Sequence, residues 1–148
     1  MKNYKLGFSV KGFVSFILVM IPNIIWMVIP AANDVLIGNS AVRPYDTVLS
    51  VSRWLMVITL IMIINTDVRV NKSKRLFAVS ASVCLVIYYV SWAFYYLGIV
   101  NPWLFISMAL FPVLYFILTD LWLKNYIAVI PSIVFGITHI GITCSNYL

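Results

Sequence analysis

The stretch that decides the fold is residues 103–119, WLFISMALFPVLYFILT, which contains no charged side chain. A helix needs about 20 apolar residues to cross the roughly 30 Å hydrocarbon core of a bilayer. A strand of a membrane barrel would instead alternate apolar and polar residues over about ten positions. Residues 103–119 do not alternate, so this run predicts a transmembrane helix.

The composition extends that prediction to the whole chain. Of its 148 residues, 64% are hydrophobic and 9% are charged, and the mean hydropathy is +1.04. Soluble domains are usually about half apolar and about a quarter charged, and a soluble fold of this length could not bury so much apolar surface. Because no long polar linker interrupts the chain, we predict a single transmembrane helical domain over residues 1–148.

Four further apolar runs have the same character, at residues 12–31, 48–64, 76–97 and 126–144. The connections between the runs are short, so helices that are neighbours in the chain should be antiparallel. The predicted fold is therefore an all-α integral membrane protein, an up-and-down bundle of five transmembrane helices. The first run is too long for a signal-peptide core and has no convincing cleavage site, so it is interpreted as an uncleaved span.

The distribution of basic residues predicts the orientation of this bundle. The chain has ten Lys and Arg residues against four acidic ones. With five spans, eight basic residues share one side, and only Arg43 and Arg53 lie opposite; the eight are Lys2, Lys5, Lys11, Arg69, Lys72, Lys74, Arg75 and Lys124. The positive-inside rule then places the N-terminus in the cytoplasm and the C-terminus outside, in a multi-pass protein of the cell membrane. Basic residues that flank apolar runs form no nucleic-acid-binding stripe.

A proline and an asparagine stand in the middle of the first span. Pro22 removes one helical hydrogen bond, and the carbonyl that it frees must find a donor, which Asn23 can supply. Two interpretations remain open at this point. Pro22 makes a packing kink while Asn23 bonds to another helix, or the kink opens a cavity that Asn23 lines.

The first span is similar to the leading span of small, uncharacterised bacterial membrane proteins, which carry Pro-Asn within the span and Pro followed by Asn at its end. The residues that match are Pro22, Asn23, Trp26, Pro30 and Asn33. This resemblance covers about a sixth of the chain. It implies a membrane location and no particular activity.

Ionisable residues inside membrane spans are expensive and often functional, which makes Arg53 and His139 candidates. Arg53 either extends to the outer surface beside Trp54, pairs with Asp46 or Asp34, or binds an anionic ligand.

His139 shares one helix face with Ser132, Gly136 and Thr143, and such a stripe of small and polar residues faces protein rather than lipid. Its imidazole either makes a structural hydrogen bond or serves as a ligand contact or proton carrier.

The third span carries a second polar stripe that includes Tyr88 and Ser91, within the aromatic sequence YYVSWAFYY at residues 88–96. Interfacial belts explain some of these rings, but Tyr88 lies too near the middle of the span. The predicted topology places the candidates at similar depth, from mid-membrane to the outer edge. The candidate ligand-binding residues are therefore Asn23, Arg53, Tyr88, Ser91 and His139.

The sequence argues against an enzyme. A single histidine and no glutamate exclude the H-E-x-x-H zinc motif, and no G-x-S-x-G elbow or glycine-rich phosphate loop occurs. His139 and Cys144 lie on different helix faces, so they form no nucleophile–base pair. We predict no catalytic residue, metal or cofactor.

Two functions remain as hypotheses. The first is binding or translocation of a small amphipathic or lipid-like molecule through a polar and aromatic pocket in the outer half. The alternative is an accessory, partner-subunit or immunity-type protein that acts by helix contacts without a ligand. The predicted partners are the lipid bilayer, a small lipophilic ligand, and a membrane protein partner or a second copy of the chain.

Overall fold

Helices dominate the structure. The computed structural model describes residues 3–32, 34–36, 44–67 and 72–147, apart from the side chains of residues 44 and 45. Within them lie five helices and two short strands: β1 Tyr4–Leu6, α1 Val10–Val28, α2 Pro44–Met62, β2 Ile63–Asn65, α3 Lys72–Tyr96, α4 Pro102–Trp122 and α5 Tyr126–Tyr147. Four residues used in the predictions, Lys2, Asn33, Arg43 and Arg69, lie outside the described residues.

Within the described ranges, four helices, α1, α3, α4 and α5, are long and apolar enough to cross a membrane. Their outer faces carry large exposed apolar side chains, such as Val86, Ile130 and Ile137, which are 61%, 68% and 70% exposed. A surface of this kind suits lipid and not water. The predicted multi-pass membrane class agrees with these helices. The shorter α2, which contains Asp46 and Arg53, is not among the four.

Local signals set the helix ends. The Ser9 side chain caps α1 by accepting a bond from the Gly12 N–H at 3.1 Å, and Asn101 caps α4 in the same way. Gly98, with φ of +81°, closes α3 through bonds from Gly98 N–H to the Tyr95 carbonyl and from Ile99 N–H to the Phe94 carbonyl. The fourth span was predicted to end at residue 119; the helix continues to Trp122.

A two-stranded antiparallel pair, which the sequence analysis did not predict, ties the start of the chain to the end of α2. Tyr4 pairs with Asn65 and Leu6 with Ile63, so the last residues of the predicted second span form a strand. The Tyr4 hydroxyl and the Asn65 amide both donate to the Lys124 carbonyl, at 3.1 and 2.8 Å. The strand pair and the α4–α5 turn therefore lie together at one end of the bundle, here called the strand end.

The helices pack most closely where α3 meets α4 and where α5 meets α4 and α2. Two glycines permit close approach. A Cβ at Gly136 would collide with Cγ1 of Val113 on α4, and one at Gly12 would collide with the Leu60 carbonyl oxygen on α2. In contrast, α1 buries only Gly12, Ser15, Val19 and Pro22, so it rests on the bundle through one narrow face.

Candidate functional site

A cavity of roughly 600 Å³ lies between the helices, with residues from all five in its wall. This volume falls within the range of about 300–1,000 Å³ that is usual for small-molecule sites. Most of the wall is apolar and aromatic, and it includes the rings of Phe16, Trp26, Trp54, Trp92, Phe105, Phe116, Phe135 and Tyr147. Polar atoms enter the wall at a few positions, among them Asn23, Arg53, Tyr88, His139 and Thr143.

Asn23 and Tyr88 form a hydrogen-bonded pair in the cavity wall. The Asn23 side-chain amide donates to the Tyr88 hydroxyl at 2.8 Å and to the Val19 carbonyl at 3.0 Å. Tyr88 is only 3% exposed. Asn23 therefore bonds across to α3 and also lines a cavity, so this side chain has both of the roles that the sequence left open.

The carbonyl that Pro22 frees belongs to Leu18, four residues earlier, and its donor comes from another helix. The Tyr89 hydroxyl of α3 donates to the Leu18 oxygen at 2.6 Å. The expectation that Asn23 would supply this donor was therefore wrong, because the Asn23 amide is directed to the Val19 carbonyl instead. A long side chain on the facing helix can reach a carbonyl that the proline ring has pushed out of the helical ladder.

Two more tyrosine hydroxyls from α3 bind the far end of α1 and the segment after it. The Tyr95 hydroxyl donates to Oδ1 of Asp34 at 2.6 Å, and the Tyr96 hydroxyl donates to the Ile29 carbonyl at 2.7 Å. Together with Tyr88 and Tyr89 they form what we call the tyrosine clasp. The clasp fastens α1 against α3 and so holds one wall of the cavity in place.

Asp34 is the hydrogen-bond centre at the end of the bundle opposite the strands. Besides the Tyr95 hydroxyl, it accepts the Trp26 indole N–H at 2.6 Å and the Leu36 backbone N–H at 2.9 Å. Trp26 and Leu36 both line the cavity. Sequence reasoning missed this cluster, although an aspartate shortly after a tryptophan-bearing apolar span was visible as a signal.

Arg53 reaches the same cavity from α2. Its guanidinium forms no ion pair or hydrogen bond with residues 3–32, 34–36, 44–67 or 72–147, so the pairing with Asp46 or Asp34 that was considered from the sequence is not observed there. The arginine is an exposed residue of the isolated bundle. A cation is thus available in the wall of a largely aromatic cavity.

His139 enters the cavity from α5, and its imidazole stacks on the Phe135 ring with centroids 5.1 Å apart and planes 12° apart. Neither ring nitrogen has a hydrogen-bond partner within the described part of the chain. The other members of its stripe face inward too: Ser132 is fully buried, Gly136 packs on Val113, and Thr143 lines the cavity.

Ser91 lies apart from the other four candidates. Its hydroxyl is 2.8 Å from the Ser107 hydroxyl of α4 and 2.9 Å from the Ile87 carbonyl, and it is not part of the cavity wall. Ser91 therefore packs α3 against α4, and its prediction as a ligand contact does not agree with the structure. Asn23, Arg53, Tyr88 and His139 are the predicted residues that the structure brings together.

A second polar centre lies outside the cavity, nearer the strand end. Asp120 is fully buried, and its Oδ2 accepts the Ser132 hydroxyl at 2.6 Å. The predicted fourth span ended at residue 119, just before Asp120; the longer α4 places this side chain inside the bundle. Among the described residues, no group of three His, Cys, Asp or Glu side chains is arranged to hold a metal ion.

Comparison of the chain with protein-family models, with curated proteins and with solved structures found no match. The geometry of the cavity is therefore the basis on which a function is assigned.

Proposed function

We propose that this protein binds or translocates a small amphipathic or lipid-like molecule through the cavity between its helices. The observation that carries the proposal is the character of the cavity wall. It is mostly aromatic and apolar, but it contains the side chains of Arg53 and His139, whose donors have no partner among the residues that the structure describes. An apolar cavity with a few polar groups is the usual form of a small-molecule site. An amphipathic molecule satisfies both parts of this wall at once.

We further propose that α2 is a fifth span, with the N-terminus of the protein in the cytoplasm and the C-terminus outside. The strand pair supports this topology, because it brings the start of α1 and the end of α2 to the same end of the bundle. The α4–α5 turn with Lys124 is held at that end, and the Lys11 ammonium lies 5.6 Å from the centre of the Trp122 ring. Basic residues gather at a cytoplasmic side.

The topology predicts the activity of a reporter fused after the last residue. Alkaline phosphatase, which folds only outside the cytoplasm, is expected to be active there, and a fluorescent protein that matures only in the cytoplasm is expected to be dark. The same reporters inserted into the loop between β2 and α3 should give the reverse pattern. A fluorescent C-terminal fusion would contradict an odd number of spans with the N-terminus inside.

Ala109 offers a way to test the cavity, because this small buried residue of α4 lies in its wall. In lipid discs of zwitterionic phosphatidylcholine, a long-chain alcohol with a diazirine group is expected to label cavity residues in a saturable manner. Ala109→Trp fills part of the cavity, and we expect it to reduce saturable labelling at least about tenfold, which is 1.4 kcal/mol of binding free energy. Mass spectrometry of the labelled peptides measures the effect.

Val86→Trp is the matched control, since Val86 is 61% exposed on the outer face of α3. It adds the same ring system to the lipid-facing surface and should leave labelling of the cavity unchanged. Both variants need the helical circular dichroism and monodispersity of the native protein. If labelling of native protein is confined to lipid-facing residues and never saturates, the binding function fails, and an accessory role through helix contacts becomes the better hypothesis.

A further inference from the structure

The charges around the cavity narrow the class of ligand. Among the described residues of its wall, Arg53 is the one with a formal charge at neutral pH, and none is acidic. The nearby carboxylate of Asp34 has oxygen atoms that face the Trp26 indole, the Tyr95 hydroxyl and the Leu36 N–H. The charged group that the described part of the wall offers to a ligand is therefore a guanidinium.

An arginine presents several N–H donors in a rigid plane that matches the two oxygens of a carboxylate or phosphate. His139 supplies a further donor, because a neutral imidazole always carries one N–H. Around these groups the wall is apolar, and a charge pair is much stronger in such surroundings than in water. A cationic molecule would be repelled by the guanidinium, and an uncharged one would form no charge pair with it.

We infer that the ligand is an acidic amphiphile, an inference that rests on the proposed function. Arg53 and His139 hold its oxyanion head group, and its apolar body lies among the aromatic rings. The head group is a carboxylate or a phosphate. The wall beyond it, formed by side chains such as Phe16, Met20 and Phe116, takes hydrocarbon. Both a free single-chain acid and an anionic lipid of the bilayer carry this chemistry.

Competition against the diazirine alcohol tests the inference with ligands that differ only at the head. In phosphatidylcholine discs, dodecanoate, dodecyl phosphate, dodecanol and dodecyltrimethylammonium are each titrated over the same range of mole fractions in the disc. The two acids are expected to displace the probe at roughly tenfold lower mole fraction than dodecanol, the advantage of one charge-assisted hydrogen bond. Dodecyltrimethylammonium is expected to compete more weakly than dodecanol.

Variants identify the residues that select the acid. Arg53→Gln removes the charge and should bring dodecanoate and dodecanol to within about twofold of each other. His139→Phe keeps the stacking on Phe135 but removes the donor, and should weaken the acids about threefold more than the alcohol. Lys72→Gln, at the start of α3 and outside the cavity, is the matched control and should preserve the native preference.

The outcomes separate this inference from the function on which it rests. Equal displacement by acid and alcohol, or a preference for acid that survives Arg53→Gln, would overturn the inference and leave the proposed function standing. If the native protein shows no saturable labelling, both the inference and the proposed function are contradicted. Addition of phosphatidylglycerol to the disc distinguishes the sources. If phosphatidylglycerol competes with the diazirine probe, and Arg53→Gln abolishes this competition, the ligand is an anionic lipid of the bilayer. If only the single-chain acids compete, the ligand is a free amphiphile.

Discussion

Tyr89→Phe is expected to lower the free energy of unfolding by about 1 to 2 kcal/mol, because a half-buried carbonyl in a membrane-facing helix that loses its donor carries a cost of this size. The hydroxyl of Tyr89 donates to the Leu18 carbonyl at 2.6 Å, and Pro22 has no N–H to offer in its place. In a Pro22→Ala background the alanine N–H can serve the Leu18 carbonyl, so the same substitution should cost about 0.5 kcal/mol. Equilibrium unfolding in mixed micelles is measured for the native protein, Tyr89→Phe, Pro22→Ala and the double variant. The difference between the two losses gives the coupling energy between Tyr89 and Pro22.

Tyr96→Phe is the control for that cycle. It removes the same group from the same helix, but its acceptor is the carbonyl of Ile29, an exposed residue at the end of α1. Water or interfacial groups can replace this hydroxyl. We therefore expect Tyr96→Phe to lower the free energy of unfolding by less than Tyr89→Phe, and by the same amount with and without Pro22. If Tyr89→Phe lowers the free energy of unfolding equally with and without Pro22, then the Tyr89 hydroxyl does not replace the N–H that the proline lacks.

Gly12→Ala is expected to destabilise the bundle by about 1 to 3 kcal/mol, the usual range for an overfilled contact. The added methyl would meet the Leu60 carbonyl oxygen, which belongs to the backbone of α2 and cannot rotate away. Alanine is otherwise a better helix former than glycine by about 0.5–1 kcal/mol, so the clash must exceed this gain. Thermal unfolding in detergent measures the balance.

Gly141→Ala gives the matched comparison for Gly12. It makes the same chemical change within α5, but beyond the adjacent backbone of α5 no heavy atom of the described residues lies within 4 Å of the added Cβ. This variant should keep only the gain in helix propensity and should be as stable as the native protein or more so. If Gly12→Ala and Gly141→Ala shift the melting temperature in the same direction, the clash with the Leu60 carbonyl does not determine the stability of the Gly12 variant.

The helices could be predicted because long apolar runs have few other solutions in a chain of this composition. Predicted and observed ends differ by several residues; α2, for example, covers Pro44–Met62 where residues 48–64 were predicted. Polar residues such as Tyr45 and Asp46 continue a helix without adding to its apolar signal. The strands were missed because a three-residue strand shows no periodicity, and its partner lies about sixty positions away.

Within the site, sequence reasoning located the residues that are costly in lipid, Asn23, Arg53, Tyr88 and His139, but could not decide which of them meet. Ser91 shows the limit of the argument. It shares a helix face with Tyr88, yet its hydroxyl bonds to Ser107 of α4 and to the Ile87 carbonyl and does not face the cavity. The position of a facing helix is not encoded in the pattern of one helix. The Trp26–Asp34–Tyr95 cluster was missed for the same reason.

The hydroxyl that serves the Leu18 carbonyl has a consequence for biosynthesis, because Leu18 and Tyr89 are 71 positions apart in the chain. Membrane segments are made in order, so α1 leaves the ribosome well before α3 exists. During that interval the Leu18 carbonyl has neither the N–H that Pro22 lacks nor the tyrosine that later supplies one. Helix α1 can therefore reach its final place only after α3 has been inserted.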